Sequence, residues 1–199
     1  CNSALIKLGA EVIASVDDAN KRARLCKEQY DKVKLDLIAG HPWNFAITRK
    51  DLAEIVYTAL YEYDHAFLIP SDCLRILDTS LNIGPQIGET KWVVESDVNT
   101  GQRLLLTNDT TVKIRYLKSV SEAFFTTIFA EVFASRMAFE LSYALTQSSS
   151  MTQLMKKEYE EKLRTARSYD AAEGSVRVVD ADDWLLARLA GGPGFYGTD

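Results

Sequence analysis

The sequence has few of the residues from which metal centres and disulfide frameworks are built. Its 199 residues include three cysteines and two histidines. Cys1, Cys26 and Cys73 are widely spaced, are odd in number and form no Cys-x-x-Cys pair. Disulfide frameworks need paired cysteines, so this pattern favours free thiols in a reducing compartment. We therefore expect no disulfide framework.

Long apolar runs are also missing. No stretch of about eighteen consecutive apolar residues occurs, which predicts that the chain has no membrane span. No signal peptide is recognisable at the start of the sequence. The chain begins at Cys1 rather than at a methionine, so we expect a few residues to precede it in the full-length protein.

Positive charge is scarce. The chain has 23 Lys and Arg against 28 Asp and Glu, for a net charge of −5. A protein that reads nucleic acid needs clustered Lys and Arg against the phosphates, so the balance argues against this class. It is compatible with DNA passing nearby, because like charge discourages sticking. The glycine-rich "GGPGFYG" has no strand before it and no helix after it, so it is no phosphate loop.

The periodicity of apolar residues predicts helices at both ends of the chain. A helix is expected from Ser15 to Ile38, with Ser15 and Asp18 as a capping box, and a shorter one from residue 4 to 13. The segment from Phe124 to Leu141 is apolar on nearly every face, which is typical of a central helix. The predicted stripe of the helix at 15–38 is Ala19, Ala23, Cys26, Tyr30, Val33 and Leu37.

A further helix is predicted to follow the three serines at 148–150. Ser150 is the expected N-cap, the helix runs from Met151 to Ala172, and Gly174 ends it. Its predicted apolar stripe is Leu154, Met155, Tyr159 and Leu163.

Between Trp43 and Lys118 the period changes to that of strands. Short apolar runs alternate with turn residues, which favours a small antiparallel sheet or a barrel-like sandwich. "CLRILDT" predicts Leu74 and Ile76 on one face. "TVKIRYLK" predicts Val112, Ile114 and Tyr116 inward, with Lys113, Arg115 and Leu117 outward.

The predicted fold class is therefore α+β, mainly a helical bundle with an inserted small antiparallel β domain. Residues 1–48 and 119–199 are assigned to the helical domain, and residues 49–118 to the β insertion. Residues 179–199 are assigned to a docking tail.

The stretch "YEYDHAFLIPSDCLRIL", residues 61–77, brings together a histidine, a cysteine and two aspartates. A zinc site needs three or four ligands at compatible spacing, and here His65 and Cys73 have no such companions. A cysteine on a strand is more often a small core residue than a thiolate. The pattern therefore favours a structural role for this stretch over a metal site or a nucleophile.

Acidic pairs could act as the acid and base of a hydrolase. Glu160 and Glu161 point in different directions on a helix among lysines, which is typical of a solvated face. Asp180, Asp182 and Asp183 stand where a helix would start, and aspartate is favoured there by capping and by the helix dipole. A hydrolase using these carboxylates stays open as an alternative function.

The last residues contain large apolar side chains in a glycine-rich stretch too short to enclose them. They either fold back on the helical domain or dock on another subunit, and both alternatives stay open on physical grounds. The candidate interface residues are Trp184, Leu185, Arg188, Leu189, Phe195 and Tyr196.

The order of several blocks resembles a known family. An amphipathic helix is followed by "HPWNFA", by "YEYDHAFLIPSDCLRIL", by "VKIRYL", by a Phe-rich helix, by a charged helix and by "DADDWLLARL". This order is similar to that of tail tubular protein A, the head-to-tail adaptor of short-tailed bacteriophages. The most specific parts are Trp43-Asn44-Phe45, then Pro70, Asp72, Cys73 and Arg75, then Trp184-Leu185 with Arg188.

The resemblance implies a structural protein that is not an enzyme and binds no cofactor. A phage-associated cell-wall hydrolase using the acidic pairs stays the alternative. Adaptors of this family form a ring, here expected to have about twelve subunits. The ring lies between the portal protein and the tail nozzle, and the tail fibre is a further candidate partner. DNA crosses the lumen of the ring without specific binding. The implied location is the virion at the head–tail junction, and the host cytoplasm during assembly. In such a protein, Asp72 is a turn or subunit-contact residue.

Overall fold

The computed structural model describes residues 1–56, 62–82, 92–98 and 100–173. Over these ranges the chain is mixed helix and sheet, in agreement with the predicted α+β class. The helices are α1 (Asn2–Lys7), α2 (Lys21–Ala39), α3 (Thr127–Thr146) and α4 (Ser149–Ala172). The strands are β1 (Ile47–Asp51), β2 (Glu54–Ile55), β3 (His65–Leu68), β4 (Cys73–Thr79), β5 (Trp92–Ser96), β6 (Arg103–Thr107) and β7 (Lys113–Lys118).

The strands form two small sheets. One has the order β1-β7-β4 and the other has the order β2-β3-β6-β5. Every described pairing is antiparallel, which confirms the predicted sheet type. The described strands lie between Ile47 and Lys118, close to the expected limits of the β insertion, whose division from the helical domain stays a prediction.

The β1-β7-β4 sheet is covered on both faces. Ile114 and Tyr116 of β7 belong to a core shared with the second sheet, through Phe67 of β3 and Leu105 of β6. Leu117 belongs instead to the core formed with the helices, where it is 0% exposed. The predicted outward orientation of Leu117 towards solvent was therefore wrong. In a sheet buried on both faces, alternation does not separate apolar from polar positions.

The predicted faces of β4 were also wrong. Ile76 packs against the core between the sheets, whereas Leu74 and Leu77 pack against the core of the helices. The pairing of β4 with β7 shifts register between Cys73 and Arg75, and again after Ile76. An irregularity of this kind inserts a residue into the ladder and interrupts simple alternation.

The helix predicted from Ser15 begins six positions later, at Lys21. The Asn20 side chain accepts a hydrogen bond from the Ala23 amide at 2.8 Å and caps the helix there. Half of the expected capping box forms, because the Asp18 carboxylate accepts from the Ser15 amide at 3.2 Å. That bond closes a turn that precedes the helix, so the motif was recognised but its role was wrong.

The first helix is shorter than the predicted segment 4–13. It ends at Lys7, and Gly9 follows in the left-handed region at φ +66°. A non-glycine residue rarely adopts this conformation, so Gly9 suits the turn. The Asn2 side-chain NH2 group then donates to the Ile13 carbonyl oxygen at 3.0 Å, and its side-chain oxygen accepts from the Ile13 amide at 3.1 Å.

The Phe-rich segment forms α3, which contacts α1, α2 and α4. The helix begins only at Thr127, where the Thr126 hydroxyl accepts from the Phe129 amide at 3.2 Å. The residues before this cap form a short 3-10 helix at Glu122–Phe124. The buried side chains of α3 include Phe129, Val132, Phe133, Met137, Ala138 and Leu141.

The start of α4 differs from the prediction by two residues. Gln147 ends α3 in the left-handed region at φ 51°, and Ser148 caps α4 by accepting from the Met151 amide. Ser150 therefore lies inside the helix. Leu154, predicted in the apolar stripe, is 57% exposed, whereas its neighbour Met155 is buried. Gly174, the predicted stop, lies outside the described residues.

An aromatic cluster joins the helices to the segment that enters β1. Phe129 meets the rings of Trp43, Phe45 and Phe125 at centroid distances of 5.0, 4.8 and 4.7 Å. The Trp43 indole N–H donates to the Leu37 carbonyl oxygen at 2.8 Å, so the buried polar atom of the ring is satisfied. The Phe129 ring is 0% exposed at the centre of this cluster.

We expect Phe129→Ala to lower the free energy of unfolding by about 3–5 kcal/mol, because it removes a fully buried ring and leaves a cavity. Phe125→Ala should cost less, since that ring is only half-buried. Phe124→Ala is the matched control, because its ring is 61% exposed. Urea unfolding followed by circular dichroism measures all three, and equal losses for Phe129 and Phe124 would contradict the packing.

Candidate functional site

The beginning of α3 and the second half of α4 form a shallow groove with a volume of about 300 Å³. We call it the α3–α4 groove. Its floor and walls combine short polar side chains with aliphatic ones, and charged groups border it. The lining residues are Thr127, Ile128, Glu131 and Val132 from α3, and Glu161, Lys162 and Thr165 from α4.

Two apolar side chains are exposed around the start of α3, and one of them, Ile128, lines the groove. Ile128 is 38% exposed, whereas Val132, one turn further along, is buried. Phe124, just before the helix, is 61% exposed and has the Lys118 ammonium 6.0 Å from its ring centroid. Exposed apolar groups beside a concave surface are characteristic of a binding site.

An ion network fixes one border of the groove. The Lys162 ammonium lies 2.8 Å from Glu131 and 3.2 Å from Glu158. The Lys7 ammonium lies 2.6 Å from the same oxygen of Glu158, so the network joins α1, α3 and α4. Because both carboxylates accept charge-assisted hydrogen bonds, the network holds the three helices in register.

These contacts set the charge of the border. The hydrogen bond from Lys162 lowers the pKa of Glu131, and the hydrogen bond from Lys7 lowers the pKa of Glu158. Burial opposes the charge of Lys162, yet its hydrogen bonds to the two carboxylates raise its pKa. A general acid needs a raised carboxyl pKa, which is the opposite direction. The border therefore suits binding better than proton transfer.

The stretch at residues 61–77 forms part of the sheets from His65 onward. The His65 ring nitrogen Nδ1 lies 2.7 Å from Glu54 Oε1, across the β2–β3 pair. Cys73 is buried between the sheets, and burial raises the pKa of its thiol. A buried thiol with a raised pKa is a poor nucleophile. Both residues have the structural surroundings that the sequence favoured.

Asp72 lies in the turn between β3 and β4. The Cys73 amide donates to the Pro70 carbonyl oxygen at 3.0 Å and closes the turn. The Asp72 carboxylate accepts from the Tyr116 hydroxyl at 3.3 Å, and its carbonyl oxygen accepts from the Ser119 amide at 2.8 Å. Burial and the Asp72 charge raise the pKa of Tyr116 to about 12. The turn role of Asp72 is confirmed, and its subunit-contact role stays a prediction.

A second polar cluster holds the last turn of α4 against the segment that follows α2. The Asp170 carboxylate accepts from the Asn44 amide at 3.0 Å and lies 3.2 Å from His41 Nε2. The Asn44 side chain donates to the Asp170 carbonyl oxygen at 2.6 Å. Burial lowers the pKa of His41, although Asp170 opposes this shift. We call this arrangement the Asp170 clasp; it fixes the point at which the chain leaves α4.

The acidic pair on α4 is placed as the sequence predicted. Glu160 and Glu161 are exposed, and each pairs with a lysine one turn earlier, at 3.8 Å to Lys156 and 4.0 Å to Lys157. They form part of a solvated helix face. The other carboxylates proposed for a hydrolase, at positions 180, 182 and 183, lie outside the described residues.

The candidate interface residues of the C-terminal segment also lie outside the described residues, and their role stays a prediction. These residues are Trp184, Leu185, Arg188, Leu189, Phe195 and Tyr196.

Sequence reasoning missed three features of the site. Asp170 and its partners His41 and Asn44 are more than 120 positions apart, so no local spacing could connect them. Glu158 carried no signal beyond its place in a charged helix. Ile128 was included in the apolar helix, but periodicity could not show that it faces a groove.

No protein-family model matches the chain, and no curated protein matches its sequence. In the part of the chain that the structure describes, no group of three or more His, Cys, Asp or Glu side chains could hold a metal ion. No helix within the same ranges is long and apolar enough to cross a membrane.

We expect Glu158→Gln to destabilise the protein at neutral pH by up to about 1 kcal/mol, because it weakens the ion network. A carboxyl group with a lowered folded-state pKa stabilises the fold above its ordinary pKa of 4.5, and this contribution is lost as pH falls through the folded value. The difference between wild type and variant should therefore shrink as the pH falls below 4.5, and it should vanish once the Glu158 carboxyl is protonated in the folded protein.

Urea unfolding between neutral pH and about pH 3 measures this difference. Glu160→Gln is the matched control, because Glu160 is exposed on the same helix and its ion pair with Lys156 is long, at 3.8 Å. A Glu158→Gln penalty that persists unchanged in acid would mean that the carboxylate charge is not what stabilises the network.

Proposed function

We propose that the protein is a structural head-to-tail adaptor of a bacteriophage. It forms a ring of about twelve copies between the portal protein and the tail nozzle, and the ring conducts DNA during ejection. The observation that carries the proposal is the α3–α4 groove, a concave surface on which Ile128 exposes part of its apolar side chain. Such a surface suits a protein that works by docking to others.

The architecture supports this reading. Helices from both ends of the described chain pack together, and the strands lie between them in sequence. We propose that residues 1–48 and 119–199 form a helical bundle into which the β domain at 49–118 is inserted. Residues 179–199 form its docking tail.

The surroundings of the candidate reactive groups also support a structural role. His65 pairs with Glu54, Cys73 is buried between the sheets, and Glu161 pairs with a lysine on a solvated helix face. These contacts account for each group without a substrate. No observation favours the cell-wall hydrolase, which would need converging carboxylates with at least one raised pKa.

The proposed partners follow from the ring. The subunit binds copies of itself, the portal protein and the nozzle protein. The tail fibre is a further candidate partner. The ring lies in the virion at the head–tail junction and forms in the host cytoplasm. In the C-terminal segment, Trp184 and Arg188 are the proposed anchors, because they are four residues apart and are the residue types most enriched at interface hot spots.

A chain truncated after residue 174, and the full-length Trp184→Ala variant, should fold with near-normal helical signal but fail to join the ring or the portal. Loss of a buried anchor weakens association by about thirtyfold. Electron microscopy of the protein mixed with the portal of its own phage measures ring formation. Leu154→Ala is the control, because Leu154 is exposed on α4 and precedes the segment by more than twenty positions.

Two results would contradict this assignment of the segment. An unfolded truncated chain would place the segment in the core of its own subunit. Normal assembly of both variants would leave the segment without a docking role.

We also expect weak, salt-sensitive binding of DNA. The subunit is acidic, with a net charge of −5, and a basic lumen would retain phosphates and slow ejection. Fluorescence anisotropy of labelled duplex DNA across a salt series measures the affinity. Tight binding at physiological salt would be inconsistent with an acidic or neutral conduit.

A further inference from the structure

We propose that the α3–α4 groove binds the C-terminal segment, residues 180–199, of a neighbouring copy in the ring. This inference rests on the proposed function and gives it a specific subunit contact. Each subunit would contribute one groove and one segment, so the contact is head-to-tail. Contacts of this heterologous type generate closed rings when the rotation between copies closes.

The groove offers an apolar floor and an acidic group at its edge. Ile128 is partly exposed on the floor beside buried Val132. The Glu131 carboxylate is already held by Lys162 at 2.8 Å. Among the described residues, by contrast, Glu161 makes only a long ion pair, at 4.0 Å to Lys157, and its side chain is exposed. A cation brought in by a partner can therefore reach Glu161 without breaking the network.

The C-terminal segment supplies apolar groups for this floor, namely Trp184, Leu185 and Leu189. Its net charge is negative, with four aspartates at 180, 182, 183 and 199, so the electrostatic match to the groove is local to Arg188. Arg188 follows Trp184 by four positions, which is the spacing of side chains on one face of a helix. An amphipathic segment that lays its apolar face into a hydrophobic groove is a common mode of recognition between proteins. In this mode the aliphatic groups cover Ile128, and the Arg188 guanidinium pairs with a carboxylate at the edge of the groove, namely Glu161.

The exit of the chain favours a neighbouring groove over the subunit's own. The Asp170 clasp holds the last turn of α4, and Asp170 is roughly 140° around the helix from Thr165 and roughly 180° from Glu161. The clasped face is therefore turned away from the groove face. Residues 173–183 can span up to about 36 Å when extended, which is enough to reach an adjoining subunit.

Charge exchange between Glu161 and Arg188 tests the contact. The single variants Glu161→Arg and Arg188→Glu each place like charges together and should weaken ring assembly by about tenfold. The double variant restores opposite charges and should assemble like wild type. Analytical ultracentrifugation over a concentration series, with electron microscopy of the portal mixture, measures assembly.

An equal mixture of the two single variants separates neighbouring from internal docking. If the segment docks on a neighbour, a ring in which the two variants alternate pairs every groove with a segment of opposite charge, so the mixture should recover assembly. If the segment docks on its own subunit, positions 161 and 188 carry like charges in each variant, and mixing does not change this. Recovery in the double variant without recovery in the mixture would therefore overturn the proposal in favour of docking on the same subunit.

An apolar variant tests the floor of the groove independently. Ile128→Asp should weaken assembly by about thirtyfold while the fold is retained, since the side chain is already partly exposed. Leu154→Asp is the matched control on α4 and should assemble normally. If Ile128→Asp and both charge variants assemble like wild type, the groove is not the docking site.

The same measurements distinguish this inference from the proposed function. If wild type assembles with the portal but the groove variants have no effect, only the groove assignment is wrong. If the copies associate through the groove, with recovery in the mixture, but form no complex with the portal, the groove contact holds and the adaptor function is wrong. A wild-type protein that stays monomeric at every concentration overturns both.

Discussion

The burial of the Phe129 ring is the interaction on which the rest of the structure depends. Its three aromatic neighbours are Phe125, just before α3, and two residues of the short segment between α2 and β1. That segment also supplies His41 and Asn44, which hold the last turn of α4. Because one cluster fixes the central helix, the entry to the sheets and the end of α4, its packing positions both the groove and the point where the chain leaves α4.

Sequence reasoning succeeded where a single physical preference decides the structure. Ala23, Cys26, Val33 and Leu37 of the predicted helical stripe are buried, whereas Ala19 precedes the helix and is exposed. "CLRILDT" forms a strand as predicted. In both cases apolar side chains have a core within reach. Sequence reasoning failed where two preferences compete. Leu117 alternates as an outward residue, but the sheet has helices on that side and a second sheet on the other, so both faces bury apolar groups.

The site was less predictable than the fold, because it depends on residues far apart in the sequence. Asp170 is one acidic residue among several on α4, and only tertiary packing brings Asn44 within 3.0 Å of its carboxylate. Helix starts were misplaced for a related reason. Ser15 and Ser150 are residue types that commonly cap helices. In the folded chain, however, Asn20 accepts from the Ala23 amide at the start of α2, and Ser148 accepts from the Met151 amide at the start of α4. Several residues can cap in principle, and packing selects one.

The pairing of β1 with β7 has a consequence for how this protein can change over evolution. Ile47 and Leu117 are direct partners in the ladder, so the chain leaves the helices and returns to them at adjacent points. The chain thus crosses between helices and strands at this one ladder pair, while Leu74 and Leu77 of β4 add a second contact with the helices. Insertions or deletions in the loops of the β2-β3-β6-β5 sheet add little closure entropy and need not move the helices. That sheet can therefore be remodelled to meet a different neighbour while the helical surfaces keep their own contacts, which makes it the exchangeable part of the subunit.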